Sequence, residues 1–199
     1  MNTILQTALD LTELSRAMQI AREAVLGGTD WIEAGTPLIK SEGMNAVREL
    51  AKEFPNHKII ADLKTSDTGG LEVEMAAKAG ADVVCILASA DDAVIADALR
   101  GASLYGVELM ADMMNVADVA GRAKQLADMG VHIINAHVGI DQQMEGKNPL
   151  DILSEISGLG VKVAAAGGLN AETAAAAAAA GADIVIVGAG IVKAADVET

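Results

Sequence analysis

Asp62 and Lys64 stand two residues apart at the end of Lys58-Ile59-Ile60-Ala61-Asp62-Leu63-Lys64, a run that reads as a β-strand. Side chains alternate along a strand, so Asp62 and Lys64 share one face while Ala61 and Leu63 share the other. The same parity sets Glu33 beside Trp31 and His137 beside Asn135, and two more short apolar runs end in Asp10 and Asp112. An imidazole titrates near neutrality, an ammonium is a fixed positive charge, and carboxylates accept hydrogen bonds or bind cations, so the set has the makings of a site. Four carboxylates (Asp10, Glu33, Asp62 and Asp112) facing one lysine in a partly buried mouth cannot all ionise uncompensated. A hard cation such as Mg²⁺, which takes one or two carboxylates and completes its shell with water and substrate oxygens, would relieve the repulsion. Glu33 and Asp62, on neighbouring strands, form the natural pair. A plainer reading stands beside this one: Asp62 and Lys64 form a salt bridge that plugs the fold, with the other acids solvated at its rim.

The elements that must position these groups repeat. A glycine, a polar residue and an apolar run recur at Gly28-Thr29-Asp30-Trp31-Ile32, Gly80-Ala81-Asp82-Val83-Val84, Gly130-Val131-His132-Ile133-Ile134 and Gly181-Ala182-Asp183-Ile184-Val185, with glycine spacings of 52, 50 and 51. Each glycine falls where a helix ends, and each run after it has the length of a buried strand. Four further strands (4–10, 58–64, 107–112 and 161–166) lie between them, giving eight strands in 199 residues. Helices are predicted over 14–25, 44–54, 71–79, 93–104, 116–129, 149–157 and 171–180. Strict alternation of β and α with nearly all-apolar strands means a parallel sheet. The near-constant period favours a closed (β/α)8 TIM barrel over an open doubly wound sheet, which would carry a glycine fingerprint after strand 1, where Asp10-Leu11-Thr12-Glu13 stands instead. Only 191–199 follow the last strand and its Gly188-Ala189-Gly190 turn, so an eighth helix is short or missing, and the single domain of 1–199 is compatible with excision from a longer chain.

In such a barrel the site lies at the C-terminal ends of the strands, so Asp10, Glu33, Asp62, Lys64, Asp112 and His137 meet at one rim. Strands 7 and 8 end in Ala165-Ala166-Gly167-Gly168 and Val187-Gly188-Ala189-Gly190-Ile191, where close-approaching backbone N–H groups can cradle an anion, commonly a phosphate in barrels. Taken alone, these glycines are nearly as well explained as tight turns. The Gly188-x-Gly190 pair makes no dinucleotide fingerprint, because Lys193 and no second βα unit follow it. His57, His132 and mid-strand Cys85 read as structural.

Composition narrows the classes. The net charge of −14 argues against nucleic acid or an anionic membrane as partner. A single cysteine makes no intramolecular disulfide and suits a reducing cytoplasm. Met1 to Asp10 has no basic start of the kind a signal peptide carries, and 52% hydrophobic residues with 20 glycines supply a large core.

At Asp62-Leu63-Lys64-Thr65-Ser66-Asp67 the sequence resembles the D-x-K-x-x-D signature of the orotidine 5′-monophosphate decarboxylase superfamily, and within it the 3-hexulose-6-phosphate synthases. Ala8-Leu9-Asp10, Glu33-Ala34-Gly35-Thr36-Pro37, His137-Val138-Gly139-Ile140-Asp141, Glu145-Gly146-Lys147-Asn148-Pro149 and Ala166-Gly167-Gly168 follow the same pattern in order, over Ile4 to Ile191. The resemblance implies an Mg²⁺-dependent aldol reaction joining formaldehyde to D-ribulose 5-phosphate, or its reverse. It implies Glu33 and Asp62 as metal ligands, Lys64 beside the developing 1,2-enediolate and His137 as the proton-transfer group at C1. It further implies a homodimer in which Asp67 acts in the partner's site, a phosphate on the backbone of Gly168, Gly188 and Ala189, and Asp10 and Asp112 against sugar hydroxyls. The sister decarboxylase acting on 3-keto-L-gulonate 6-phosphate has an arginine shortly after the histidine; Val138-Gly139-Ile140 here favours the synthase. Ala189 stands where some relatives place an arginine against the phosphate. A non-catalytic sugar-phosphate-binding domain is the contrasting class.

Overall fold

A computed structural model describes residues 3–198. Met1, Asn2 and Thr199, the outermost residues of the expected start and tail, lie outside the described residues. Eight parallel strands close into a barrel in sequence order. They are β1 (Ile4–Leu9), β2 (Trp31–Ala34), β3 (Lys58–Thr65), β4 (Val83–Leu87), β5 (Glu108–Asp112), β6 (Ile133–His137), β7 (Lys162–Ala166) and β8 (Ile184–Val187). Around them run α1 (Leu14–Leu26), α2 (Thr36–Glu42), α3 (Asn45–Glu53), α4 (Gly69–Ala79), α5 (Asp92–Tyr105), α6 (Val119–Met129), α7 (Ile140–Gln143), α8 (Pro149–Ile156), α9 (Ala171–Ala179) and α10 (Ala189–Val192). The eighth unit ends in the four-residue α10, the short helix expected from the tail. No helix among the described residues is long and apolar enough to cross a membrane.

Strand alternation divides the core in two. Ile32, Ala34, Ile59, Ala61, Leu109, Ala111, Ile134 and Ala136 face outward against the helices. Ala8, Trp31, Ile60, Cys85, Met110, Ile133, Ala164 and Ile186 fill the barrel. The floor is polar: Lys58 and Lys162 both pair with Glu108, and their ammonium groups stack over the Trp31 ring at 5.0 and 5.9 Å. Each of these four residues opens its strand, so together they close the barrel end opposite the site.

The fourfold repeat now has a physical meaning. Gly80 and Gly130 end α4 and α6 in the left-handed conformation (φ 102° and 96°) that a side chain resists. Two residues after each repeat glycine, a polar side chain accepts the backbone N–H of the second residue of the preceding strand: Asp30 from Leu5 (2.9 Å), Asp82 from Ile59 (2.8 Å), His132 through Nδ1 from Leu109 (3.0 Å) and Asp183 from Val163 (2.9 Å). Each of those four residues also donates its own N–H back to the same strand residue's carbonyl. His132 therefore does structural work, stitching β5 to β6.

Several boundaries differ from expectation. β1 stops at Leu9, leaving Asp10 on the loop just beyond. The helix expected from 116 begins at Val119, because the Asp118 carboxylate caps it by accepting from Gly121 N–H. Helix α2 forms where the sequence pattern predicts none, although Pro37 sits in its first turn, where proline suits a helix start.

Candidate active site

A cavity of about 960 Å³ opens at the C-terminal end of the barrel. Asp10, Glu33, Asp62, Lys64, Asp112 and His137 all line it, as do Gly168, Gly188 and Ala189. A smaller cleft of about 460 Å³ lies beside it, lined by Ser89, Asn115 and Arg122. Arg122 is spent there on structure, donating to the carbonyls of Ala88 and Ala90 and pairing with Asp92.

Lys64 is the hub. Its backbone sits at φ 48°, in the left-handed region, where the β3–β4 register shifts between Ala61 and Thr65. Strain of this kind persists only where the surroundings enforce it, and it clusters at functional sites. The Lys64 ammonium lies 3.0 Å from Asp62 and 2.9 Å from Asp112. Burial alone would favour the neutral amine, but the two carboxylates outweigh it and hold Lys64 protonated.

Asp112 joins lysine to histidine. Its Oδ2 accepts from Lys64 Nζ and lies 2.7 Å from His137 Nδ1, while its Oδ1 accepts from Met114 N–H at 2.9 Å. Burial pushes the Asp112 carboxyl up, yet the His137 hydrogen bond, the His137 and Lys64 charges and the Met114 N–H bring it down to about 2. An ionised carboxylate only accepts, so His137 carries its proton on Nδ1 and leaves Nε2 to the cavity chemistry.

Glu33 and Asp62 form the other half of the site. Thr36 Oγ lies 2.7 Å from an Asp62 carboxylate oxygen and 2.9 Å from the Asp62 carbonyl, so α2 orients Asp62 through its first residue. Gln6, wholly buried on β1, donates Nε2–H to Glu33 at 2.5 Å. Burial, then the charges of Asp62 and Asp10, push the Glu33 carboxyl well above its ordinary value. Asp10 is raised for similar reasons, burial first and Asp62 second. Its carboxylate fits between two glycines: a Cβ on Gly35 would fall 2.3 Å from Asp10 Oδ1, and one on Gly188 would fall 3.2 Å from Oδ2. Among the described residues no three His, Cys, Asp or Glu side chains gather at metal-binding spacing. Mg²⁺ does not need three, and the raised Glu33 beside Asp62 marks surplus negative charge that such a cation would relieve, so the donor set fits it.

The far wall is backbone. Ala189 and Gly190 open α10, so their N–H groups have no carbonyl one turn back within it. Gly167 has φ 109°, and a Cβ there would strike the Val138 carbonyl at 2.3 Å, so the chain passes too closely for any side chain. Cys85 also reaches the cavity, but burial and then the nearby Asp62 and Glu33 charges keep its thiol neutral. Asp67 does not line the cavity of its own chain; it is exposed after β3 and accepts from Thr68 N–H.

Strand parity and glycine spacing locate the ionisable rim and the glycine walls, but they do not single out Gln6, Thr36 or Asn135. Gln6 and Asn135 are uncharged polar residues inside apolar strands, at inward parity, and both are buried. That position is the only signal they give. Each keeps one side-chain oxygen without a partner among the described residues.

The family described as orotidine 5′-phosphate decarboxylase / HUMPS matches residues 3–199. The chain is 41% identical over 194 residues, 96% of its length, to a 3-hexulose-6-phosphate synthase of Bacillus subtilis, 92% of which is covered. It superposes with a TM-score of 0.93, at 34% identity, on the 3-hexulose-6-phosphate synthase of Salmonella typhimurium, over 98% of this chain and 93% of that one. The 3-keto-L-gulonate-6-phosphate decarboxylase of Vibrio cholerae gives a TM-score of 0.87 at 30% identity, over 100% of this chain and 94% of that one. With a barrel of this topology, an acid–lysine–histidine mouth and a match over nearly its whole length, the chain belongs to the orotidine 5′-phosphate decarboxylase / HUMPS family.

Proposed function

We propose that the chain is an aldolase of the 3-hexulose-6-phosphate synthase type, joining formaldehyde to D-ribulose 5-phosphate to give D-arabino-3-hexulose 6-phosphate, or running the reverse cleavage. The observation that carries this reading is the continuous Lys64–Asp112–His137 chain at one wall of a cavity whose other wall is glycine backbone. The backbone of Gly168, Gly188 and Ala189 binds the phosphate, which lets a chain of net charge −14 hold an anion. The sugar's carbonyl end then lies toward Lys64, with Asp10 against its hydroxyls.

Proton transfer follows from the tautomer. His137 Nε2 removes the proton from C1, and Asp112 stabilises the imidazolium that forms. The electron pair left at C1 delocalises to the C2 oxygen, where the Lys64 ammonium stands ready, charge stabilisation realised only as the anion develops. C1 of this enediolate attacks the formaldehyde carbon, the C2 carbonyl re-forms, and the new alkoxide takes a proton from the imidazolium. A divalent cation held by Glu33 and Asp62 would supply further positive charge beside the sugar oxygens. A homodimer in which Asp67 enters the partner's cavity belongs to the same proposal; its support is the exposed position of Asp67, next to the exposed apolar Leu71 and Met75 of α4.

The likeness to the decarboxylase structure favours a second reading, decarboxylation of 3-keto-L-gulonate 6-phosphate through the same enediolate. Ile140, three residues after His137, offers no cation for the substrate carboxylate. Incubation with D-ribulose 5-phosphate, formaldehyde and Mg²⁺ is expected to consume formaldehyde and yield a hexulose phosphate. No consumption by folded protein ends the synthase reading, and CO₂ release from the keto acid would replace it with the decarboxylase.

A further inference from the structure

Gln6 is out of place by the logic of folding. It is wholly buried at the centre of β1, among inward-facing residues that are otherwise mostly apolar. Its amide makes one hydrogen bond, Nε2–H to Glu33 Oε2 at 2.5 Å, and its Oε1 has no partner among the described residues. A buried acceptor left unpaired lowers stability, so packing alone gives no reason for an amide at this position. The N–H on Glu33 is what that cost secures. Glu33 has no other hydrogen-bond donor among the described residues, whereas Asp62 is held by Thr36 and Lys64. Without Gln6 a carboxylate repelled by Asp62 and Asp10 would have no fixed rotamer.

We infer that Gln6 is a positioning residue for the divalent-cation site: it engages one oxygen of Glu33, fixes the carboxylate plane and leaves the second oxygen to the cation. The inference rests on the reading of Glu33 and Asp62 as the cation-holding pair. Groups that orient a metal ligand from behind commonly contribute ten- to a hundredfold to metal affinity. Register explains why Gln6 can do this: it pairs with Trp31, two residues before Glu33 on the same face of β2, so its side chain lies one step below the carboxylate.

The test uses Mn²⁺ as probe, followed by electron paramagnetic resonance on the intact protein, with thermal melting beside it. Gln6→Met keeps the length of the side chain and removes the donor. The expected result is a ten- to a hundredfold weaker Mn²⁺ affinity in a protein that still melts cooperatively, and turnover that recovers as Mg²⁺ is raised. Gln6→Leu serves the same comparison if the methionine variant fails to fold. Wild-type affinity in a folded variant, or a lower melting temperature with affinity unchanged, would overturn the role of Gln6 while leaving the cation pair standing. A wild-type protein that binds no Mn²⁺ would overturn the pair itself, and the role of Gln6 with it.

Discussion

Two carboxylates at the mouth, Asp112 and Glu33, sit in opposite electrostatic situations, and their pH behaviour should show it. Asp112 is drawn down from 3.8 to about 2 in the fold. A depressed acid contributes stability that is complete above its unfolded value and is lost as pH falls from about 4 toward 2, here about 2 kcal/mol. Asp112→Asn should therefore be less stable than wild type by about that amount at pH 7, and the difference should vanish near pH 2 in denaturant titrations. The same change leaves His137 without its anionic partner, so kcat should fall by roughly 10²–10⁴. Glu33 is raised instead, so it weakens the fold progressively as pH rises through its ordinary range to its folded value. Glu33→Gln should melt higher than wild type at neutral pH and be inactive, a trade measurable by calorimetry beside a formaldehyde assay. The ionisable half of this site was legible in the sequence because parity on a strand is rigid and charge at an inward position is unusual. Gln6 and Thr36 were not, since an uncharged polar side chain gives no sign of which neighbouring carboxylate it will hold.

At the level of elements, the eight strands and the barrel were legible from the period of the glycines, while the meaning of the polar residue in each repeat was not. Only the closed structure shows that Asp30, Asp82, His132 and Asp183 perform one task, each tying a strand opening to the strand before it. The three aspartates and one histidine are interchangeable in principle, because the task requires only an acceptor. His132→Asp should keep the Leu109 N–H satisfied and leave stability within about 0.5 kcal/mol of wild type. His132→Ala should cost about 1–2 kcal/mol by leaving that N–H without its side-chain acceptor, read as a shift of the urea midpoint at constant slope. Helix α2 is illegible because Gly35-Thr36-Pro37 looks like a turn, although space rather than conformation explains Gly35: its φ of −65° suits any residue, but the Asp10 carboxylate occupies the place of its side chain. The backbone of Lys64 is beyond reach, since nothing in a lysine announces a left-handed conformation that the β3–β4 register shift imposes.

The whole molecule carries a net charge of −14, so two copies repel at long range and a dimer must be held by apolar contact. Leu71 and Met75, one turn apart on α4 and 57% and 46% exposed, are placed for that contact, and Asp67 stands at the head of the same segment. Asp67 closes the D-x-K-x-x-D signature but does not line the cavity of its own barrel, so the part proposed for it requires the proposed dimer. If each cavity is completed by the partner's Asp67, a defect in the barrel and a defect in Asp67 reside in different chains of each site. Lys64→Ala and Asp67→Ala homodimers should each be nearly inactive. When the two are unfolded together and refolded at equal concentration, half of the dimers are mixed, and each mixed dimer has one cavity with both defects and one with neither. About a quarter of the wild-type specific activity should return. Raising the ionic strength before mixing should favour the association by screening the like charges. Activity that stays at the level of the separate variants, with dimers present by light scattering, would place Asp67 in its own chain's chemistry and leave the cavity complete within a single barrel.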